Sequence, residues 1–184
     1  MTRPNGIEVY RGPSAIDGSD IVVILTGLAT ASTNSKTGGM VQSYIMRADV
    51  EPTAAIRAGS DTAVCGTCPH RSKASGGAGT CYVNVGQGPL AVWRAWQRGN
   101  YPTATLDEAL HMLRGRAFRL GTYGDPAAVP DCGGFWARLS LLAESRTGYT
   151  HRWRDIGASL RGICMASVDS QAEAWEAREA GWAT

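Results

Sequence analysis

The fold class is decided by the stretch 117–180, which reads AFRLGTYGDPAAVPDCGGFWARLSLLAESRTGYTHRWRDIGASLRGICMASVDSQAEAWEAREA. Three strand-like apolar segments recur in it, and helical patterns lie between and after them. This alternation predicts right-handed βαβ units and a parallel sheet, and therefore an α/β fold. The predicted strands are Phe118–Tyr123, Gly148–Trp153 and Ile163–Val168, and the predicted helices are Phe135–Ala143 and Gln171–Ala180.

The first sixty residues add further strands to this pattern. Asp20–Leu28 is a continuous, largely β-branched run of the kind that a sheet buries on both faces. Met40–Arg47 predicts another strand, and Pro52–Ala58 predicts a short helix because proline suits the first helical turn. A chain of 184 residues can bury a core of its own. We therefore expect residues 1–184 to form a single α/β domain.

Composition and charge restrict the function classes. The chain has 18 basic and 16 acidic side chains, so its net charge of +2 creates no global field that attracts nucleic acid. No apolar run approaches the ~18 residues of a membrane span, and the first residues do not resemble a secretory leader. We therefore expect a cytoplasmic protein with no membrane partner. In that reducing setting, five cysteines favour metal binding over disulfides.

Residues 61–88 differ from the rest of the chain, because they lack apolar periodicity and carry the spacing C-x2-C-x12-C. Cys65 and Cys68 in such a hairpin can bind one metal centre without strain, and Cys81 can supply a third ligand across a flexible loop. We expect 61–88 to be a metal-binding loop inserted into the domain. Its predicted ligands are Cys65, Cys68, Cys81 and His70.

Two cofactors fit this spacing. Zinc would take its fourth ligand from His70, Cys132 or Cys164. An iron–sulfur cluster would use the three cysteines and one further ligand, and the proline directly after Cys68 is also seen after cluster cysteines. Zinc is the predicted cofactor and an iron–sulfur cluster the alternative. A pair of reduced thiols without a metal remains a third interpretation.

Polar side chains follow the three predicted strands of 117–180. In parallel α/β folds the carboxyl ends of the strands carry the site, and here they carry Asp125, His151 and Asp169. A carboxylate and an imidazole on neighbouring strands can act as nucleophile or general base and as proton donor, so we predict these three as catalytic residues. The structural alternatives are a helix cap for each aspartate and a satisfied structural histidine. Ser170 and Glu173 also fit a capping box.

Taken together, several segments of the chain resemble a family of uncharacterised proteins common in phage and prophage genomes. The resemblance covers nearly the whole chain and implies a location in the host-cell cytoplasm, but the family has no established activity to transfer. The segments are Asn34–Gln42, Val64–Arg71, Cys81–Pro89, Gly121–Pro126, Thr147–Trp153 and Met165–Asp169.

A cysteine-bound metal combined with strand-end aspartates is also similar, more distantly, to barrel transglycosylases that exchange guanine for a deazaguanine in tRNA or phage DNA. In those enzymes an aspartate attacks the glycosidic carbon and zinc is structural. The similarity implies a partial or TIM-barrel-like sheet, since 184 residues are fewer than the ~250 of a complete barrel. It implies Asp125 as the nucleophile and Asp169 as a second site residue. The cysteine block precedes the strands here, whereas it follows them in the transglycosylases.

These observations predict a metal-binding enzyme that acts on nucleic acid or nucleotides, by base modification or a transglycosylase-like reaction. The alternative is a non-catalytic module, stabilised by zinc or an iron–sulfur cluster, that binds nucleic acid. Arg94 and Arg98, with the neighbouring Trp93 and Trp96, would form its binding surface.

Overall fold

The computed structural model describes residues 4–31 and 37–184, so the beginning of the Asn34–Gln42 segment lies outside the described residues. These residues form a mixed α/β structure, as predicted. None of its helices has the length and apolar character needed to cross a membrane. The strands are β1 (Gly6–Pro13), β2 (Asp20–Thr26), β3 (Val41–Arg47), β4 (Ala117–Tyr123), β5 (Ser145–Thr147), β6 (Tyr149–Thr150) and β7 (Met165–Ala166).

Five strands form one sheet in the order β1-β2-β3-β4-β5. β1, β2 and β3 pair antiparallel, whereas β4 pairs in parallel with β3 and with β5. β6 and β7 form a second parallel pair, and Gly148 alone separates β5 from β6. Among the described residues the five-stranded sheet is open, so the expected parallel βαβ arrangement is limited to the part from β3 onward and no closed barrel is present.

The antiparallel pairing of β1 with β2 follows from the short connection between them. Only residues 14–19 join these strands, and a parallel pairing needs a crossover of about a dozen residues or more. The central strands are nevertheless buried on both faces: each residue from Ile21 to Leu25 is 0% exposed. The apolar run therefore correctly predicted a buried strand, although not its direction.

Helices flank this sheet. Trp93 of the third helix donates its indole N–H to the carbonyl of Arg47 at the end of β3, at 2.9 Å. Trp136 of the fifth helix is fully buried, with its ring centroid 6.2 Å from that of Phe118 in β4. The helices are α1 (Pro52–Ala58), α2 (Thr62–Cys65), α3 (Gly88–Gln97), α4 (Leu106–Met112), α5 (Cys132–Leu139) and α6 (Gln171–Glu179).

The parallel strands share one carboxyl edge, which positions the candidate site. At this edge Gly124 approaches β3 so closely that a Cβ would lie 2.5 Å from the carbonyl oxygen of Ile45, and its φ of +80° also favours glycine. The strand predicted over Gly148–Trp153 ends at Thr150. The amide of Arg152 donates to the Thr150 hydroxyl at 3.0 Å and turns the chain there.

Candidate functional site

A buried ion pair orders the cysteine loop. The Arg71 guanidinium donates to both carboxylate oxygens of Asp61, at 2.7 and 3.1 Å, and also to the carbonyls of Gly59 and Gly66. The Arg71 and Asp61 side chains are 10% and 3% exposed. The hydrogen bond to Asp61 raises the pKa of Arg71. Residues 61–88 therefore keep their shape through a polar anchor, which an apolar pattern does not reveal.

The three predicted cysteine ligands line one cavity. Cys65 ends α2, and the amide of Cys68 donates to its carbonyl in the following turn, at 3.2 Å. Cys81 joins them through its amide, which donates to the carbonyl of His70 at 3.0 Å. All three line a cavity of about 340 Å³ and a neighbouring one of about 280 Å³. We call the larger one the strand-end cavity.

The cysteines of the described residues are free thiols. Burial, with a smaller contribution from Asp61, raises the pKa of Cys65 well above its ordinary value. Burial also raises the pKa of Cys68, where the nearby Cys81 adds to the effect. Without a metal these thiols therefore stay protonated at neutral pH. With Cys81 they form a group of soft sulfur donors, and a bound cation would stabilise their thiolate form.

The spacing of the thiols bears on the choice of metal. Within 4–31 and 37–184, the only three ligand atoms that all lie within 4.8 Å of one another belong to His70, His151 and Asp169. At least one pair of the three cysteine sulfurs is therefore more than 4.8 Å apart, whereas tetrahedral geometry with a Zn–S bond of about 2.3 Å brings sulfurs to about 3.8 Å from one another. An iron–sulfur cluster spreads its thiolates further, because each one binds a different iron.

Residues with buried polar atoms that have no hydrogen-bond partner line the strand-end cavity. Three buried side-chain polar atoms of the described residues have no hydrogen-bond partner, namely Thr122 Oγ1, Tyr123 Oη and His151 Nε2. All three residues line the strand-end cavity. Buried polar groups without a partner are uncommon in folded proteins, so three around one cavity indicate a place for a ligand. Burial raises the pKa of Tyr123, so its phenol keeps its proton and can donate.

Aromatic residues and a cation line the mouth of the same cavity. Tyr82 and Tyr149 both line it and are 78% and 47% exposed. Arg119, also in the lining, donates to the Tyr82 hydroxyl at 3.2 Å. Exposed aromatic rings beside an arginine suit a flat, polar ligand that stacks. Tyr82, Tyr149 and Arg119 were not among the predicted site residues, although each lies beside a predicted ligand or in a predicted strand.

Asp125 lies at the carboxyl edge of the parallel strands, and both oxygens of its carboxylate accept hydrogen bonds. Oδ1 accepts hydrogen bonds from the Ala127 amide at 2.9 Å and the Thr150 hydroxyl at 2.7 Å. Oδ2 accepts from the His151 amide at 2.9 Å, and the Asp125 amide donates to the Val64 carbonyl at 2.6 Å. Burial raises the pKa of Asp125, although these hydrogen bonds act in the opposite direction. Asp125 therefore ties three chain segments together and also caps the turn that follows.

His70, His151 and Asp169, predicted from separate parts of the sequence, lie together. His70 Nε2 is 2.8 Å from Asp169 Oδ1, and its ring centroid is 5.4 Å from that of His151. Burial lowers the pKa of His151, which keeps its imidazole neutral at pH 7. The capping box predicted at α6 is formed only in part: the Ser170 hydroxyl accepts from the Glu173 amide, but the Glu173 carboxylate accepts from the amide of Asp169 and not from that of Ser170. The Asp169 carboxylate takes no part in these hydrogen bonds and contacts His70 instead.

Three of the four side chains expected to form the surface of a non-catalytic nucleic-acid module contact other parts of the chain, and Arg98 is exposed. The indole N–H of Trp96 donates to the Glu8 carboxylate at 2.6 Å, and that of Trp93 donates to the chain at the end of β3. Arg94 lies 3.3 Å from a Glu51 carboxylate oxygen. These contacts hold α3 against the sheet.

Comparisons of this chain with protein-family models, curated proteins and solved structures find no match. The resemblance to phage proteins and to transglycosylases therefore stays a prediction. The functional argument depends on the chemistry of the strand-end cavity.

Proposed function

We propose that this chain is a metalloenzyme that acts on a nucleobase, bound in the strand-end cavity beside an iron–sulfur cluster held by Cys65, Cys68 and Cys81. The observation that carries the proposal is the convergence on one cavity of three thiols and three unpartnered polar atoms. A purely structural metal site has no need of unsatisfied hydrogen-bonding groups beside it.

The donor set fits an iron–sulfur cluster better than zinc. At least one pair of the sulfur atoms is spaced more widely than tetrahedral zinc requires, and all three cysteines line a second cavity of about 280 Å³ that gives a cluster room. The unpartnered Tyr123 phenol lines both cavities and can donate to a thiolate or to the ligand. When bound through three cysteines, a four-iron cluster supplies one iron without a protein ligand, to which a substrate atom can bind.

The lining of the cavity favours a nucleobase. Tyr82 and Tyr149 offer ring faces for stacking at the mouth, and Arg119 adds a planar cation. Thr122, Tyr123 and His151, whose buried polar atoms have no protein partner, also line the cavity, and we place the edge of the base beside them. A volume of about 340 Å³ is at the small end of ligand pockets and suits a base better than a folded peptide.

The residue roles follow from the contacts. His151 lines the cavity and is the proposed proton donor or acceptor when no ion is bound to its ring. Asp125 is better suited to positioning than to nucleophilic attack, because three hydrogen bonds already stabilise its carboxylate. Base modification is therefore better supported than a transglycosylase reaction through Asp125. The non-catalytic alternative is less well supported, since Trp93 and Trp96 hold α3 in place.

Cysteine variants test the metal half of the proposal. We expect protein purified and reconstituted without oxygen to be brown and to contain about four iron and four sulfide per chain. Cys65→Ser, Cys68→Ser and Cys81→Ser should each lose most of this iron, because each removes one ligand. The matched control Cys132→Ser should retain it, since Cys132 lies in α5 and outside the lining of both cavities. Colourless protein with stoichiometric zinc would contradict the iron–sulfur assignment.

A stacking variant tests the nucleobase half. We expect the reconstituted protein to bind at least one of the common nucleosides in calorimetric titrations. Tyr149→Ala should weaken that binding about 10-fold, because base stacking on an aromatic ring contributes about 1–3 kcal/mol. Trp175→Ala is the control, since Trp175 is 60% exposed on α6 and does not line the strand-end cavity. Iron-containing protein that binds no nucleoside would refute this half and leave the metal half standing.

A further inference from the structure

A second group of metal-ligating side chains lies beside the cysteine site. One ligand atom each from His70, His151 and Asp169 lies within 4.8 Å of the other two. They come from distant parts of the chain, and His70 and Asp169 are 99 positions apart. The His70 ring contacts Thr80 and Asp169, and the His151 Nε2 atom has no hydrogen-bond partner. This ligand set is two imidazoles and one carboxylate.

We propose that His70, His151 and Asp169 bind a divalent transition-metal ion at a site separate from that of Cys65, Cys68 and Cys81. Nitrogen and carboxylate ligands in this ratio are the set that zinc and ferrous iron use in sites with open coordination positions. The assignment moves His70 from the cysteine centre, for which the sequence predicted it, to a site of its own. It does not depend on the proposed function.

The surroundings of His70 fit a ligand role. Its Nδ1 lies 2.7 Å from the Thr80 hydroxyl, and its Nε2 lies 2.8 Å from Asp169 Oδ1. Metal-binding histidines commonly use one ring nitrogen for the ion and fix the ring through a hydrogen bond from the other. Thr80 is the residue that would fix the ring here. When the ion binds, it takes the place between Nε2 and the carboxylate that the hydrogen bond now occupies.

His151 supplies the second imidazole. Its Nε2 is buried and has no hydrogen-bond partner. His151 lines the strand-end cavity, and together with Asp169 it also lines another cavity of about 240 Å³. An ion held by three protein ligands at this place keeps coordination positions for water or substrate, as catalytic metal sites do.

Cobalt titration of the full-length chain, after its cysteine centre has been reconstituted, tests this proposal. Co²⁺ reports its ligands by absorption, because thiolates add an intense charge-transfer band that imidazole and carboxylate lack. We expect one Co²⁺ to bind per chain without that band. His70→Gln, His151→Gln and Asp169→Asn should each weaken binding by more than about 100-fold, and Thr80→Val by about 10-fold to 100-fold. His111→Gln is the matched control, since His111 lies on α4 beside Arg114.

Iron and sulfide measured on the same samples separate this proposal from the previous one. We expect their content to be unchanged in the histidine and Asp169 variants. Cobalt binding as tight in the three ligand variants as in His111→Gln would overturn the second site. Loss of iron in His70→Gln would return His70 to the cysteine centre and overturn it as well. Should His151→Gln fail to fold by circular dichroism, Asp169→Asn decides, because that side chain is 42% exposed.

Discussion

Arg71→Gln is expected to lower the free energy of unfolding by about 3 to 5 kcal/mol, because it breaks a buried ion pair by removing one partner. The Asp61 carboxylate, 3% exposed, would remain buried without its counter-ion. The Gly66 carbonyl would lose its arginine donor at the same time, and the Gly59 carbonyl would keep only its bonds from Thr62. Urea denaturation measures the change. The reconstituted iron content should fall as well, because the lost contacts span the segment that carries Cys65.

Two comparisons separate the buried pair from a general loss of charge. Arg138→Gln also removes an arginine from an ion pair, with Asp107 at 2.8 Å, but both side chains are more than half exposed. It should cost less than about 1 kcal/mol. Adding Asp61→Asn to Arg71→Gln should recover part of the loss, because no uncompensated charge then remains. If Arg71→Gln costs no more than Arg138→Gln, something other than this pair orders the loop.

The strand ends were the most predictable part of the site. Alternating strands and helices over 117–180 predict parallel strands, and parallel strands must share a carboxyl edge. Asp125, His151 and Asp169 follow β4, β6 and β7, so their approximate neighbourhood needed no structure. The boundaries of the strands were less predictable, since Thr150 ends β6 through contacts made by its side chain.

The pairing of side chains across the chain was not predictable. His70 was assigned to the nearby cysteines because spacing along the sequence is the only distance a sequence shows, yet it contacts Asp169 at 2.8 Å. The Asp61–Arg71 pair has no periodic pattern and resembles ordinary loop charges in the sequence. Likewise, the direction of β1 depends on the length of one turn, and a continuous apolar run does not specify whether a strand is parallel or antiparallel.

The similarity to transglycosylases implies Asp125 as a nucleophile, and the structure adds what its carboxylate contacts. Asp125→Ala is expected to lower the free energy of unfolding by about 4 kcal/mol. The Ala127 amide, the Thr150 hydroxyl and the His151 amide would all lose their acceptor, and a buried donor without a partner costs about 1–3 kcal/mol. Val64, which precedes Cys65, would lose part of its anchor because its carbonyl accepts from the Asp125 amide.

Asp125→Asn distinguishes the positioning role from the nucleophilic one. Its oxygen can still accept from Ala127 and Thr150, but its new amide group would face the N–H of His151, a donor against a donor. We therefore expect a loss of about 2 kcal/mol in urea denaturation. Asp131→Asn should cost almost nothing, since asparagine caps a helix as well as aspartate and the Asp131 carboxylate only accepts from the Gly134 amide at 3.4 Å. Unchanged stability of Asp125→Asn would contradict the positioning role, and loss of base exchange in that stable variant would restore the transglycosylase interpretation.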